Sequence, residues 1–145
     1  MNRHPEYQYL DLGREILKNG IDQKDRGTGV VTRSVFGVRH VYDLHDGFPL
    51  LTSKRVYWKG VAEELYWFFS GQTNIKYLVD HNVHIWDDYP YKIHAKKAKE
   101  GTLAKLTKEA FVQKIADDKS FAKKHGTLPR IYGEMWRHWP TRKKG

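Results

Sequence analysis

The side chain of this chain best placed for acid–base chemistry is Glu64, a carboxylate set within FPLLTSKRVYWKGVAEELYWFFSG, residues 48–71. Read as a helix beginning near Gly60, each residue advances by about 100°. Val61, Leu65, Phe68 and Phe69 then share one apolar arc, and Glu64 lies inside it between Trp67 and Phe68. Glu63 points toward the opposite, Ser70 side, as a surface or ion-pairing residue. A carboxylate on the buried face of a helix is costly unless a partner bonds or neutralises it. Two readings follow: a Glu held by a structural partner, or a general acid/base.

Three further groups have types suited to chemistry. Arg26 sits in a glycine-bearing loop, Asp25 to Gly29, where backbone N–H groups and a guanidinium can surround an anion. Trp86 and Tyr89, in IWDDY, offer flat faces that suit either ring stacking or core packing. His81 and His84 stand three apart near Asp87 and Asp88, but Val83-His84-Ile85 reads as extended, so no metal is expected. Asp87 reads as a local hydrogen-bonder.

The elements that must carry these residues are partly visible in the pattern. Tyr9, Leu12 and Ile16 recur at helical spacing, and Asn19-Gly20 reads as a stop. Residues 30–44, rich in Val, Thr, Phe and Tyr, read as strand pairs broken near Gly37, and Asp46-Gly47 as a turn. The Glu64 helix closes at Gly71 as a left-handed cap, and Thr73 caps a short helix carrying Ile75 and Leu78. Residues 82–86 read as a brief extended segment. From about Tyr91 to His125 the chain turns helical, with Leu103, Leu106, Ala110, Phe111 and Ile115 on one stripe.

The 48–71 string, NVHIWDD at 82–88, DRGTG at 25–29 and LPRIYGEMWRHWP at 128–140 together resemble thymidylate synthase, in that family's order. The resemblance runs from near Tyr9 to the last residue and covers the N-terminal half of that enzyme. It implies a mixed α/β fold in which helices cover a twisted sheet, and a homodimer packed sheet to sheet. It implies conversion of dUMP to dTMP with 5,10-methylenetetrahydrofolate as cofactor. By the same resemblance Glu64 is the catalytic glutamate, and Arg26 binds the nucleotide phosphate. Trp86 positions the folate, Tyr57, Ile85 and Tyr89 line its pocket, and Tyr132 assists proton transfer. Departures are Gly27 in place of Thr, Pro129-Arg130 in place of Gly-Pro, and Met135 in place of Gln.

The family's nucleophile is a cysteine, and this chain has none. The expectation is therefore a chain inactive alone, whose thiolate, remaining phosphate arginines and base-selecting Asn come from a C-terminal half. Without that Asn, a nucleotide hydroxymethylase such as a deoxycytidylate hydroxymethylase stays open. A reading from another class is a silent remnant whose basic segment contacts RNA or a partner.

At 145 residues the chain is one domain's worth or a large part of one. We read it as a single domain, 1–145, carrying a helical insertion at about 91–126. Net charge is +9. Lys92 to His125 holds ten lysines against Glu100, Glu109, Asp117 and Asp118, which is six of those nine charges. A solvated Lys-rich lobe beside the core is preferred over nucleic-acid binding. The absence of cysteine excludes disulfides and thiolate metal sites in these residues. No run of about 18 apolar residues and no signal-like N-terminus is present, so the expected place is the cytoplasm, with no membrane partner.

Overall fold

The stripe Tyr9, Leu12, Ile16 does wind into a helix, α1, spanning Tyr7–Asn19. Gly20 ends it with extended backbone, its N–H reaching the Ile16 carbonyl. The structure, a computed structural model, describes residues 3–25 and 29–140. It divides into two compact units, Met1–Val56 and Tyr57–Gly145.

In the first unit, β1 (Ile21–Lys24) and β2 (Val31–Ser34) form an antiparallel pair with Asp22 opposite Arg33. Arg33 grips Asp22 with two N–H groups, at 2.6 and 2.9 Å. The strand pairs expected over residues 30–44 reduce to this hairpin. Beyond Ser34 the chain finds no ladder partner among the described residues, and a strand without a partner leaves its polar backbone unpaired. A 3-10 turn, Leu44–Asp46, follows instead. Order comes from side-chain clamps. Gln8 bonds both backbone groups of Val41, at 2.7 and 2.9 Å. Glu6, 8 % exposed, accepts from the amides of Thr52 and Ser53 at 2.9 and 2.7 Å and from the Thr52 hydroxyl. Those donors, the Ser53 and Thr52 side chains first, hold its carboxyl down at about 2.

The second unit is helical. Its elements are α2 (Trp58–Phe69), α3 (Lys76–Asp80), α4 (Asp88–Lys99), α5 (Lys108–Asp117), α6 (Lys119–His125) and α7 (Tyr132–Arg137). The expected stop at Gly71 is present as a Schellman motif: Gly71 has φ +71°, its N–H meets Phe68 O, and Gln72 N–H meets Trp67 O. The cap of α3 is not Thr73 but Asn74, whose Oδ1 accepts from Lys76 N at 2.9 Å. Asn74 also bonds Ala122 O and Thr127 Oγ1, and its carbonyl takes the Trp67 indole N–H, so one amide ties α2, α3 and α6 together. Thr107 caps α5 and Asp118 caps α6.

One buried cluster joins Trp67 and Phe68 of α2, Ile75, Leu78 and Val79 around α3, and Val83 with Phe111, Ile115, Ala122 and Leu128. The helices at 108–125 thus feed the same core as α2 and form no lobe with a core of its own. Residues 82–86 are not extended: Asn82 is left-handed (φ +56°) and the chain turns directly into α4. Among the described residues the fold is mixed, helices with one two-stranded sheet, and no helix is long and apolar enough to cross a membrane.

Candidate active site

The face of α2 that meets the protein is set by Gly60, Trp67 and Phe68, all buried. Val61, Leu65 and Phe69, expected on that arc, are 48, 43 and 58 % exposed. Gly60 lets the Tyr57 ring lie against the helix, where any side chain would strike it. Helical geometry then carries Glu64 to the buried side between Trp67 and Phe68, as the spacing predicts. There Trp86, 22 residues onward, donates its indole N–H to Glu64 Oε1 at 2.6 Å. A hydrogen bond to a carboxylate is among the stronger kinds, and this one fixes the indole plane.

Phe68, one helical turn past Glu64, anchors an aromatic wall. Its ring centroid lies 5.0 Å from Tyr132, 5.3 Å from Trp136 and 6.2 Å from Trp86, and Trp86 lies 6.1 Å from Tyr132. These tilted and edge-on arrangements suit the ring quadrupoles. What lets α7 come so close is Gly133. A Cβ there would sit 2.8 Å from Gln72 O and 3.0 Å from Phe68 O, both backbone atoms. Tyr132 is thereby laid on Phe68.

An open cavity of about 670 Å³ results, lined by Trp86, Tyr89, Ile131, Tyr132, Trp136 and Trp139 among others. Its size and aromatic lining suit a flat heterocycle of cofactor size. Of the residues singled out in the sequence, Trp86, Tyr89 and Tyr132 share this cavity; Glu64 does not line it but is bonded to Trp86, which does. Tyr57 and Ile85 do not line it. Both are half-exposed, and the Tyr57 hydroxyl donates to Asn82 O at 3.2 Å. Arg26 lies outside the described residues. The sequence reading missed Trp136 and Trp139, although LPRIYGEMWRHWP carried the signal: three large aromatic side chains within eight residues beside a glycine.

The carboxylates around the site have distinct partners. Glu63, expected as a surface or ion-pairing residue, is partly buried and accepts from the Tyr77 hydroxyl at 2.7 Å. Burial and then that carboxylate push the Tyr77 phenol up to about 12. Asp87 is 2 % exposed and bonds His84 Nδ1 at 2.8 Å through Oδ2, while Oδ1 is buried without a partner. Burial raises its pKa, opposed by His84. It is the local hydrogen-bonder expected. His81 stacks on Tyr77 at 4.1 Å, and His84 also meets Asn82 Oδ1. No group of three His, Asp or Glu among the described residues is arranged to hold a metal ion.

Comparison with known proteins adds an independent finding. A family model described as thymidylate synthase matches residues 7–145. Among similar proteins named thymidylate synthase, that of Rhodopseudomonas palustris (strain BisA53) is 44 % identical over 138 residues, covering 94 % of this chain and 45 % of its own length. That of Mesoplasma florum is 47 % identical over 130 residues, covering 90 % and 44 %. That of Oenococcus oeni is 40 % identical over 158 residues, covering 97 % and 49 %. The chain spans about half the length of the relatives it matches.

Proposed function

The chain belongs to the thymidylate synthase family, and on that premise we propose that it builds part of a site converting dUMP to dTMP. The observation that carries the reading is the hydrogen bond from Trp86, which lines the aromatic cavity, to Glu64. A carboxylate oriented by an indole and flanked by aromatic rings is suited to pass protons through water to a pyrimidine carbonyl. Glu64 then has two tasks: stabilising the enolate as C5 becomes nucleophilic, and helping remove the C5 proton once the new carbon is attached. Tyr132, beside Trp86, supports the same proton traffic.

The co-substrate in this reading is 5,10-methylenetetrahydrofolate, which when bound supplies the one-carbon unit and a hydride. Trp86 and Tyr89 offer faces for its pterin, and the resemblance adds Tyr57 and Ile85. Arg26 binds the nucleotide phosphate, again by resemblance. The thiolate that adds to C6 of the base comes from polypeptide outside these 145 residues, since none of them is cysteine. We place the two units within one catalytic domain, with 91–126 as a Lys-rich insertion. In the assembled enzyme its helices cover a larger twisted sheet, in a cytoplasmic homodimer.

The test is reconstitution. Purified chain is mixed with a cysteine-bearing C-terminal half from the family, and release of tritium from [5-³H]dUMP is followed. The chain alone should give no dTMP. In the mixture, Glu64→Gln should lower turnover by about two orders of magnitude. Turnover by the chain alone, or full activity of the Glu64→Gln mixture, overturns the reading.

A further inference from the structure

Both faces of α2 are apolar, and only one of them is covered. At about 100° per residue, Val61, Leu65, Phe69, Ala62 and Tyr66 fall within about 140° of the helix surface. None of the five carries a charge, and all are exposed. The covered face holds Gly60, Trp67 and Phe68, the last two in the shared core. Of the twelve residues of α2 only Lys59, Glu63 and Glu64 are charged. A helix apolar around most of its circumference is an interior helix, because water gains nothing from either face.

The size of the open face sets what it can do. At 59 and 58 % exposure, Tyr66 and Phe69 alone leave roughly 200 Å² in water. Val61 and Leu65 extend this toward the size at which an exposed apolar patch marks an interaction site. A helix that lies on a lipid surface carries lysines and arginines along its polar face. This one has a single Lys and two Glu, so its charge directs the face toward protein.

The relatives supply a protein of the right kind. This chain covers 45, 44 and 49 % of the three named above, so more than half of each is polypeptide outside the matched stretch. The open face also runs up to the cavity. The Phe69 ring lies 5.8 Å from that of Trp136, which lines the cavity from α7. Polypeptide seated on Val61, Leu65 and Phe69 therefore borders the place where the reaction needs its thiolate.

On the reading that this chain builds part of a dUMP-converting site, we propose that the open face of α2 seats the C-terminal half of the family's fold. An apolar, uncharged surface of that second polypeptide packs over Val61, Ala62, Leu65, Tyr66 and Phe69. The two arcs of α2 then have separate tasks. One carries Glu64 and Phe68 to the cavity wall, and the other holds the halves together.

The full chain is titrated into the same C-terminal half, without dUMP or folate, and binding is followed by fluorescence anisotropy of a dye on that half. The natural chain should bind, and Phe69→Ala should weaken binding about tenfold, the scale of one apolar side chain removed from an interface. Leu65→Lys/Phe69→Lys should weaken it about a hundredfold or more, since it also buries two unpaired ammonium groups. Both residues are exposed in the chain alone, so its urea midpoint by tryptophan fluorescence should be the same in either variant. Equal binding by the double variant, or no binding by the natural chain, overturns the seat. So does a double variant that unfolds early or fails to fold, because the face is then already covered within the chain. A natural chain that sediments as a dimer, with a monomeric double variant, assigns the face to a second copy and overturns it too. Binding without turnover removes the dUMP reading and leaves the seat. Undiminished turnover in the double variant removes the seat and leaves that reading.

Discussion

Among the described residues before Tyr57 the only buried side chain is the carboxylate Glu6, whereas those after it enclose Trp67, Phe68, Ile75, Leu78, Phe111 and Ile115. Yet the first unit is not poor in apolar residues. Phe36, Phe48, Leu44 and Val31 are present and exposed. The two units differ in how their apolar residues are spaced. In the second unit these residues recur at helical intervals, so neighbouring helices can close over them with local connections. In the first, beyond α1, the apolar residues of 30–44 follow strand-like spacing, and a strand buries its face only when other strands extend the sheet. What holds the first unit is a set of polar clamps, Glu6 on Thr52 and Ser53, Gln8 on Val41 and Arg33 on Asp22.

This contrast can be broken at several points. The largest effect belongs to Phe111→Ala, which should cost about 3–5 kcal/mol in urea unfolding followed by tryptophan fluorescence. All five tryptophans lie beyond residue 56, so that signal reports the second unit. A loss under about 1 kcal/mol would mean that the shared core is looser than its burial implies. Gly71→Ala should cost about 1–2 kcal/mol in the same measurement, because φ +71° is left-handed and disfavours a Cβ. Tyr77→Phe removes one hydrogen bond to Glu63 and should cost about 1 kcal/mol.

The first unit should respond to acid instead. Glu6 drops from 4.5 to about 2 on folding, so its contribution is complete above about pH 4.5 and is lost as pH falls toward 2. Exchange over residues 48–53 should rise across that window, and Glu6→Gln should remove the rise. Smallest of all, Phe36→Ala should change stability by no more than about 0.5 kcal/mol, since the ring is fully exposed. A larger loss would show that this ring packs in solution and would erase the distinction between the units.

Read by itself, the sequence determined what depends on neighbours along the chain. It placed α1 and α2, the stop at Gly71 and the helical character of 91–125. It also put Glu64 angularly between Trp67 and Phe68, because a helix advances by a set rotation per residue whatever surrounds it. The four ordered motifs were enough for the family. Only the tertiary structure decided which arc of α2 faces inward. Both candidate arcs are apolar, and the choice fell to Gly60, which admits the Tyr57 ring, and to Gly133, which admits α7. Trp86 as the partner of Glu64, Asn74 as the joint of three helices and Tyr77 as the partner of Glu63 are likewise contacts across 14 to 53 residues. Periodicity orients a side chain about its own axis; it carries no information about which distant group will arrive opposite, and that is settled by the way whole helices pack.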